Sequence, residues 1–147
     1  MMTIGTNANA LEVVVKKNST ASTEAAWAEI GDFCDIAKWH PAVEKCEKSV
    51  QNGVTYRNLF LKGGGEVFEK QIEFNNSSNS YSYTIEKSPL PVQNYSAEIK
   101  VETDSAGTTL VWEARFDAKG VSDEEAKKTI GGIFEAGLSS IVERLKK

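Results

Sequence analysis

Few side chains in this sequence combine the type and spacing that chemistry needs. The single histidine, His40, lies in the run Trp39-His40-Pro41. A residue before proline is pushed out of the α region, so His40 is expected at a bend. Titrating near neutral pH, it is a candidate hydrogen-bond donor or general acid/base; the plainer role is a ring packed beside Trp39 and Pro41. Arg57 and Glu69 flank the turn Leu61–Glu66 (LKGGGE). A short loop centred on Gly64 sets Leu59 opposite Glu69 and Leu61 opposite Val67, with Arg57 on the same face and diagonal to Glu69. If that face is inward, the pair is buried; if Phe68, Ile72 and Phe74 claim the core, it is a surface pair. A bulge in this strand would reconcile the two. Tyr81, Tyr83 and Ile85 alternate, as do Tyr95, Ala97, Ile99 and Val101, and Leu110, Trp112, Ala114 and Phe116, marking three inner strand faces. Such a face is either ordinary core or a lining with hydroxyl tips that suits a mostly apolar ligand. No His, Cys, Asp or Glu cluster has metal-ligand spacing, so neither a metal nor another cofactor is expected. Ser–His–Asp catalysis has no nucleophile motif behind it.

Composition narrows the classes further. The chain has 147 residues, 40% hydrophobic and 26% charged, with a formal net charge of −4. It is expected to form one domain over 1–147, with residues 1–9 a loose N-terminal segment. A mildly acidic chain without a Lys/Arg cluster has no electrostatic footprint for nucleic acid or an anionic membrane. No apolar run reaches the length of a membrane span. Met1–Ala10 has no basic region followed by an apolar one, so a secretory signal is not expected and the cytoplasm is the default. Cys34 and Cys46 form no CxxC pair and are read as free, reduced thiols. A monomer or homodimer is expected.

The elements that must position these residues follow from hydrophobic period. Ser122–Lys147 is the longest helical pattern, with Ala126, Ile130, Ile133, Phe134, Gly137, Leu138, Ile141, Val142 and Leu145 on one stripe. Ser122 and Glu125 form a capping-box pattern at its start. Gly137 lies inside the stripe, and a mid-helix glycine costs roughly 1 kcal/mol relative to alanine. Either close packing on bare backbone or space left for a ligand would offset that cost. Leu11–Lys17 reads as a strand, Ala25–Phe33 as a helix that Gly31 and Asp32 weaken or end, and Ile36–Val43 as a further helical turn closed by Pro41. From Val43 to Lys119, short runs alternate with turn signals: Val43–Val50, Val54–Leu61, Glu66–Phe74, Ser80–Glu86, Asn94–Glu102 and Thr108–Asp117. The predicted class is α+β: a seven-stranded curved antiparallel sheet wrapped around the long C-terminal helix, with one or two short helices after the first strand. Such a wrap can leave a cavity between sheet and helix.

Motifs spread over roughly Leu11 to Leu145 resemble a known family. They are Trp27 with Gly31-Asp32-Phe33, Trp39-His40-Pro41-Ala42-Val43, and Gly53 with Arg57-Asn58-Leu59. Further along come Phe68-Glu69-Lys70, Tyr81-Ser82-Tyr83-Thr84-Ile85, Pro89-Leu90-Pro91-Val92-Gln93-Asn94-Tyr95, Trp112 with Phe116, and Gly137-Leu138. Together they resemble the START-like or SRPBCC superfamily with its helix-grip fold, which includes the birch pollen allergen, lipid-transfer domains and abscisic acid receptors. The local sequence is similar to bacterial polyketide cyclase/dehydrase and lipid transport proteins. The resemblance implies a cavity that binds a small lipophilic or aromatic molecule. It places Glu69 at a polar pocket position, Tyr83, Ile85, Tyr95 and Gly137 at ligand-facing positions, and His40 near a ligand-contacting base. For Gly137 this favours space over packing. The loops at Gly63-Gly64-Gly65 and Pro89-Leu90-Pro91 match a closing pair, although the glycine run lacks the apolar residues of a lid. The expected pocket is Arg57, Leu59, Leu61, Glu69, Tyr83, Ile85, Tyr95, Trp112, Ile130, Ile133, Phe134 and Gly137. One alternative is a cyclase/dehydratase using the same cavity, with Glu69, His40 or Tyr95 as acid/base. Another is a protein-interaction module. Fold alone does not choose among these.

Overall fold

The computed structural model describes residues 10–147, so the expected loose segment 1–9 lies outside the described residues. The elements, in order, are β1 (Leu11–Ser19), α1 (Thr23–Ile30), α2 (Ile36–Trp39), β2 (Val43–Gln51), β3 (Val54–Leu61), β4 (Glu66–Asn75), β5 (Ser80–Lys87), β6 (Val92–Asp104), β7 (Gly107–Ala118) and α3 (Asp123–Leu145). The seven strands form one antiparallel sheet in the order β1-β7-β6-β5-β4-β3-β2. α3 crosses the inner face against β1 and β7 and meets both short helices. No described helix is long and apolar enough to cross a membrane.

α3 forms where the period predicts. The Ser122 hydroxyl accepts from the Glu125 N–H at 3.1 Å, and three acids occupy the first turn, where the helix dipole favours them. Ile130, Phe134, Leu138 and Ile141 are buried along its stripe, each contributing about 1.5–3 kcal/mol of transfer free energy. α1 is capped by Ser22 and ends at Gly31, the point within Ala25–Phe33 where Gly31 and Asp32 are expected to weaken or end it. The next residues make a tight linker, with the Asp32 carboxylate accepting from the Cys34 N–H at 3.0 Å. α2 is a single turn, and His40 leaves it extended at φ −92°, ψ 119°, as its proline neighbour requires.

Two features correct the sequence-based expectations. Cys34 and Cys46 are not free thiols: they form a disulfide joining the α1–α2 linker to β2. A separation of 12 residues carries no recognisable motif, and the fold alone brings the two Cα atoms to 5.5 Å. The β3–β4 turn also centres one residue earlier than expected. Arg57 pairs directly with Glu69, and Leu59 with Val67. The cause is the glycine run: Gly63, Gly64 and Gly65 all have positive φ (87°, 106° and 100°), a wide turn that residues bearing a Cβ rarely make. The slide moves the partners by two residues, so each side chain keeps its face.

Bulges then set which side chains face inward. In β4 the register shifts between Gln71 and Glu73, so Val67, Glu69 and Gln71 point inward before it and Phe74 after it. Ile72 is left exposed, and Phe74 lies at the open margin against Trp27, with ring centroids 5.8 Å apart. The inward Arg57–Glu69 face and the apolar run of β4 are thereby reconciled. In β6 the shift falls between Gln93 and Ser96, where Asn94 takes φ 53°; this turns Tyr95 inward.

Candidate ligand-binding cavity

Arg57 and Glu69 form the polar end of a cavity beneath the sheet. Arg57 is 0% exposed and Glu69 5%. The Arg57 Nε–H donates to Glu69 Oε1 at 2.7 Å, and Nη1 donates to the Phe33 carbonyl at 2.6 Å and the Tyr81 hydroxyl at 3.2 Å. The guanidinium lies 4.0 Å from the Phe33 ring centroid and 4.8 Å from that of Tyr83, both within cation–π range. Nη2 is buried and has no partner. Burial works against the Arg57 charge, but Tyr81, Glu69 and Tyr83 more than offset it and hold the proton above its usual range. Burial likewise lifts the Glu69 carboxyl above its ordinary range, with Arg57 pulling the other way. A guanidinium keeps its proton in proteins, and an uncompensated buried cation is costly, so Glu69 stands as its counter-ion.

Beside this pair, Trp112 Nε1–H donates to the Tyr83 hydroxyl at 3.0 Å, and the Tyr83 and Tyr95 hydroxyls meet at 3.3 Å. Burial first pushes both phenols well above the ordinary tyrosine range, helped at Tyr83 by Tyr95 and then Glu69, and at Tyr95 by Glu69. Neither is therefore a general base near neutral pH; both are hydrogen-bonding groups.

The cavity encloses about 280 Å³, at the small end for ligand sites. Strand residues Arg57, Leu59, Leu61, Glu69, Tyr83, Ile85, Tyr95 and Trp112 line it, and α3 contributes Ile130, Ile133 and Phe134. Trp112 stacks on Phe134 at 4.2 Å between centroids, fixing the spacing of sheet and helix there. Ile36 and Val43 complete the wall below, and Lys62, Gly64 and Leu90 stand at the mouth. The two mouth loops are close: a Cβ on Gly65 would lie 3.5 Å from Pro89 Cγ. Val67, missed by the sequence reading, was signalled by its place two residues before Glu69 on the same strand face. Ile36 and Lys62 had no such signal, because only tertiary packing brings the linker and the turn to the cavity.

Gly137 and His40 are placed differently from the expectation. Gly137 is not on the cavity wall. A Cβ there would come within 2.8 Å of His40 Cδ2, 2.8 Å of Trp112 Cζ3 and 2.9 Å of Trp39 Cζ3, so the bare backbone serves packing. It lets the His40 ring reach α3, where Nε2–H donates to the Ile133 carbonyl at 2.8 Å. Nδ1 accepts from the Ala42 N–H at 3.1 Å. Both ring nitrogens are engaged in the neutral form, and burial lowers the His40 pKa. His40 thus borders the cavity as a ring locked between α2 and α3.

A family model described as polyketide cyclase/dehydrase and lipid transport matches residues 10–146. The chain belongs to this family. Among solved structures, an uncharacterized protein from Bacillus thuringiensis superposes with a TM-score of 0.85 at 29% identity, covering 93% of this chain and 100% of the other. The protein XoxI from Bacillus cereus gives 0.84 at 28% identity, covering 92% and 96%. A solution structure from Thermobifida fusca gives 0.78 at 28%, covering 91% and 92%. No curated protein matches the chain. Membership in the polyketide cyclase/dehydrase and lipid transport family agrees with the curved sheet and the long C-terminal helix. It assigns no ligand.

Proposed function

We propose that this protein binds a small lipophilic or aromatic molecule in the cavity between sheet and α3. The observation that carries this reading is a cavity with mostly apolar walls and a polar end built from buried groups, Arg57, Glu69, Tyr83 and Tyr95. Convergent polar groups in an apolar wall orient a ligand and give it specificity. Against cyclase/dehydratase chemistry stands the state of each candidate acid/base. His40 spends both ring nitrogens, Glu69 is tied to Arg57, and the Tyr95 phenol holds its proton. A cytoplasmic setting is part of this reading only with both sulfurs reduced, because a reducing compartment opposes the Cys34–Cys46 bond.

The test is a chemically diverse panel of lipophiles in thermal melts, joined to mass spectrometry of small molecules extracted from freshly purified protein. A ligand present at about 100 times its Kd stabilises the native state by about 2.7 kcal/mol, a readily visible shift. A panel with no shift, and an extract with no co-purifying molecule, refutes the reading.

A further inference from the structure

Resting on that binding reading, we propose that the free carboxylate oxygen of Glu69 selects the ligand by its hydrogen. The cavity takes a neutral lipophile carrying a hydroxyl group in preference to one of the same shape that lacks the O–H or bears a charge. Few groups at the polar end have bonding capacity left for a ligand. Arg57 spends Nε–H on Glu69 and Nη1 on Phe33 and Tyr81, and its Nη2 is buried, so the guanidinium offers the cavity nothing. Both His40 nitrogens are engaged, and Trp112 Nε1–H is held by the Tyr83 hydroxyl. Glu69 differs. Among the described residues its Oε1 accepts from Arg57 and its Oε2 accepts from nothing, and Oε2, unlike Nη2, keeps accessible surface. Glu69 points inward from β4 and lines the cavity, so that surface belongs to the cavity.

A carboxylate oxygen only accepts, so the group that completes it must bring a hydrogen. Hydrogen bonds to a charged partner are the strong ones, and a buried acceptor left unpaired weakens a complex. The Tyr83–Tyr95 contact uses one of two hydroxyl hydrogens, whichever ring donates, and leaves the other unspent. A ligand hydroxyl therefore suits this end twice over, as donor to Oε2 and as acceptor for a phenol. Charge separates neutral donors from ionic ones. Arg57 and Glu69 are matched one to one at 2.7 Å, with side chains 0% and 6% exposed. An ammonium at Oε2 would leave two cations sharing one carboxylate, and a buried charge without its own partner is costly. Lys62, exposed at the mouth, adds a further positive charge on the way in. A carboxylate ligand brings no hydrogen and sets its own charge against that of Glu69.

The experiment uses four probes of nearly one shape, with different groups at the same position of a naphthalene ring: hydroxymethyl, methoxy, ethyl and aminomethyl. The first gives and takes a hydrogen bond, the second only takes one, the third does neither, and the last is a cation at neutral pH. Their dissociation constants are measured at neutral pH by calorimetry on the full chain and on Glu69→Gln. In the wild type, the hydroxymethyl probe binds tighter than each of the others by about tenfold or more, as a hydrogen bond to a charged group provides. In Glu69→Gln, the amide oxygen stays on Arg57 Nε–H and the NH2 takes the place of Oε2, so the cavity now presents a donor. The methoxy probe gains, and the hydroxymethyl advantage over it falls to about threefold or less. In the wild type, a methoxy, ethyl or aminomethyl probe that equals the hydroxymethyl one overturns the proposal. An undiminished hydroxymethyl advantage in a folded Glu69→Gln also overturns it, because another group then receives the hydrogen. If that variant does not fold, the wild-type order alone decides. Binding of other lipophiles but of none of these four overturns the hydroxyl assignment, whereas binding of no lipophile at all refutes the parent reading.

Discussion

The same substitution, glycine to alanine, should have opposite effects at two positions five residues apart in α3. At Gly132 an added Cβ meets nothing within 4 Å. Gly132→Ala gains helix propensity and loses unfolded-state freedom, so it should stabilise the protein by up to about 1 kcal/mol. Gly137→Ala gains the same propensity, but its Cβ would stand 2.8–2.9 Å from ring carbons of His40, Trp112 and Trp39. Those rings are buried and pack on one another, with Trp39–Trp112 and His40–Trp112 centroids 5.5 and 6.0 Å apart, so none can yield alone. Overpacking of this kind costs about 1–3 kcal/mol. Pushing the His40 ring off the helix also weakens its bond to the Ile133 carbonyl, worth about 1 kcal/mol more. The net expectation is destabilisation by about 1–3 kcal/mol, and a gap of about 2–4 kcal/mol between the two variants. Urea denaturation of both, with midpoints and slopes compared, measures it directly. A Gly137→Ala variant as stable as wild type would refute the claim that α3 needs bare backbone at this point.

Two further predictions concern the linker and the histidine. Removing the disulfide, by dithiothreitol or by Cys34→Ser with Cys46→Ser, should lower stability by about 3 kcal/mol, from loop-closure entropy over the 12-residue separation; melts that are identical with and without reductant would show that the bond contributes nothing. His40 should make the fold sensitive to mild acid. Burial depresses its native pKa below the ordinary 6.5, so below that pH the unfolded chain takes up a proton that the native state does not. Its stability contribution is complete above about pH 6.5 and falls as pH drops from there toward the depressed value, by up to about 1.4 kcal/mol per unit. In urea titrations between about pH 7.5 and pH 5.5, His40→Gln should flatten this slope; an unchanged slope would assign it to other groups.

Much of this fold was readable because its signals are local and periodic. The capping box at Ser122 and the stripe of α3 need no knowledge of the rest of the chain, and the alternation in β5 and β7 marks Tyr83 and Trp112 as inward. What was not readable depends on backbone detail or on distant partners. The glycine run fixed a turn but not its centre, so the register slipped by two while the faces survived. The extra residue at Ile72 had no sequence mark, yet it decides that Arg57 and Glu69 face inward although Phe74 does too. Gly137 was visible as an anomaly, but its reason lies in three rings from α2, the bend after it and β7, so a resemblance-based reading as ligand space chose the wrong side. Cys34 and Cys46 were visible as cysteines, and only the packing of the linker on β2 made them a pair.

Stability alone is a poor reason for the Arg57–Glu69 pair. Taking both charges out of water costs several kcal/mol for each ion, and apolar residues of similar volume often match or exceed such a pair. Arg57 also organises its surroundings only in part. Its bond to the Phe33 carbonyl ties the α1–α2 linker to β3, but that linker is already held by the Lys48–Asp32 ion pair at 2.8 Å and by the disulfide to β2. A tether that duplicates two others does not require a buried guanidinium, and still less one with an unused nitrogen.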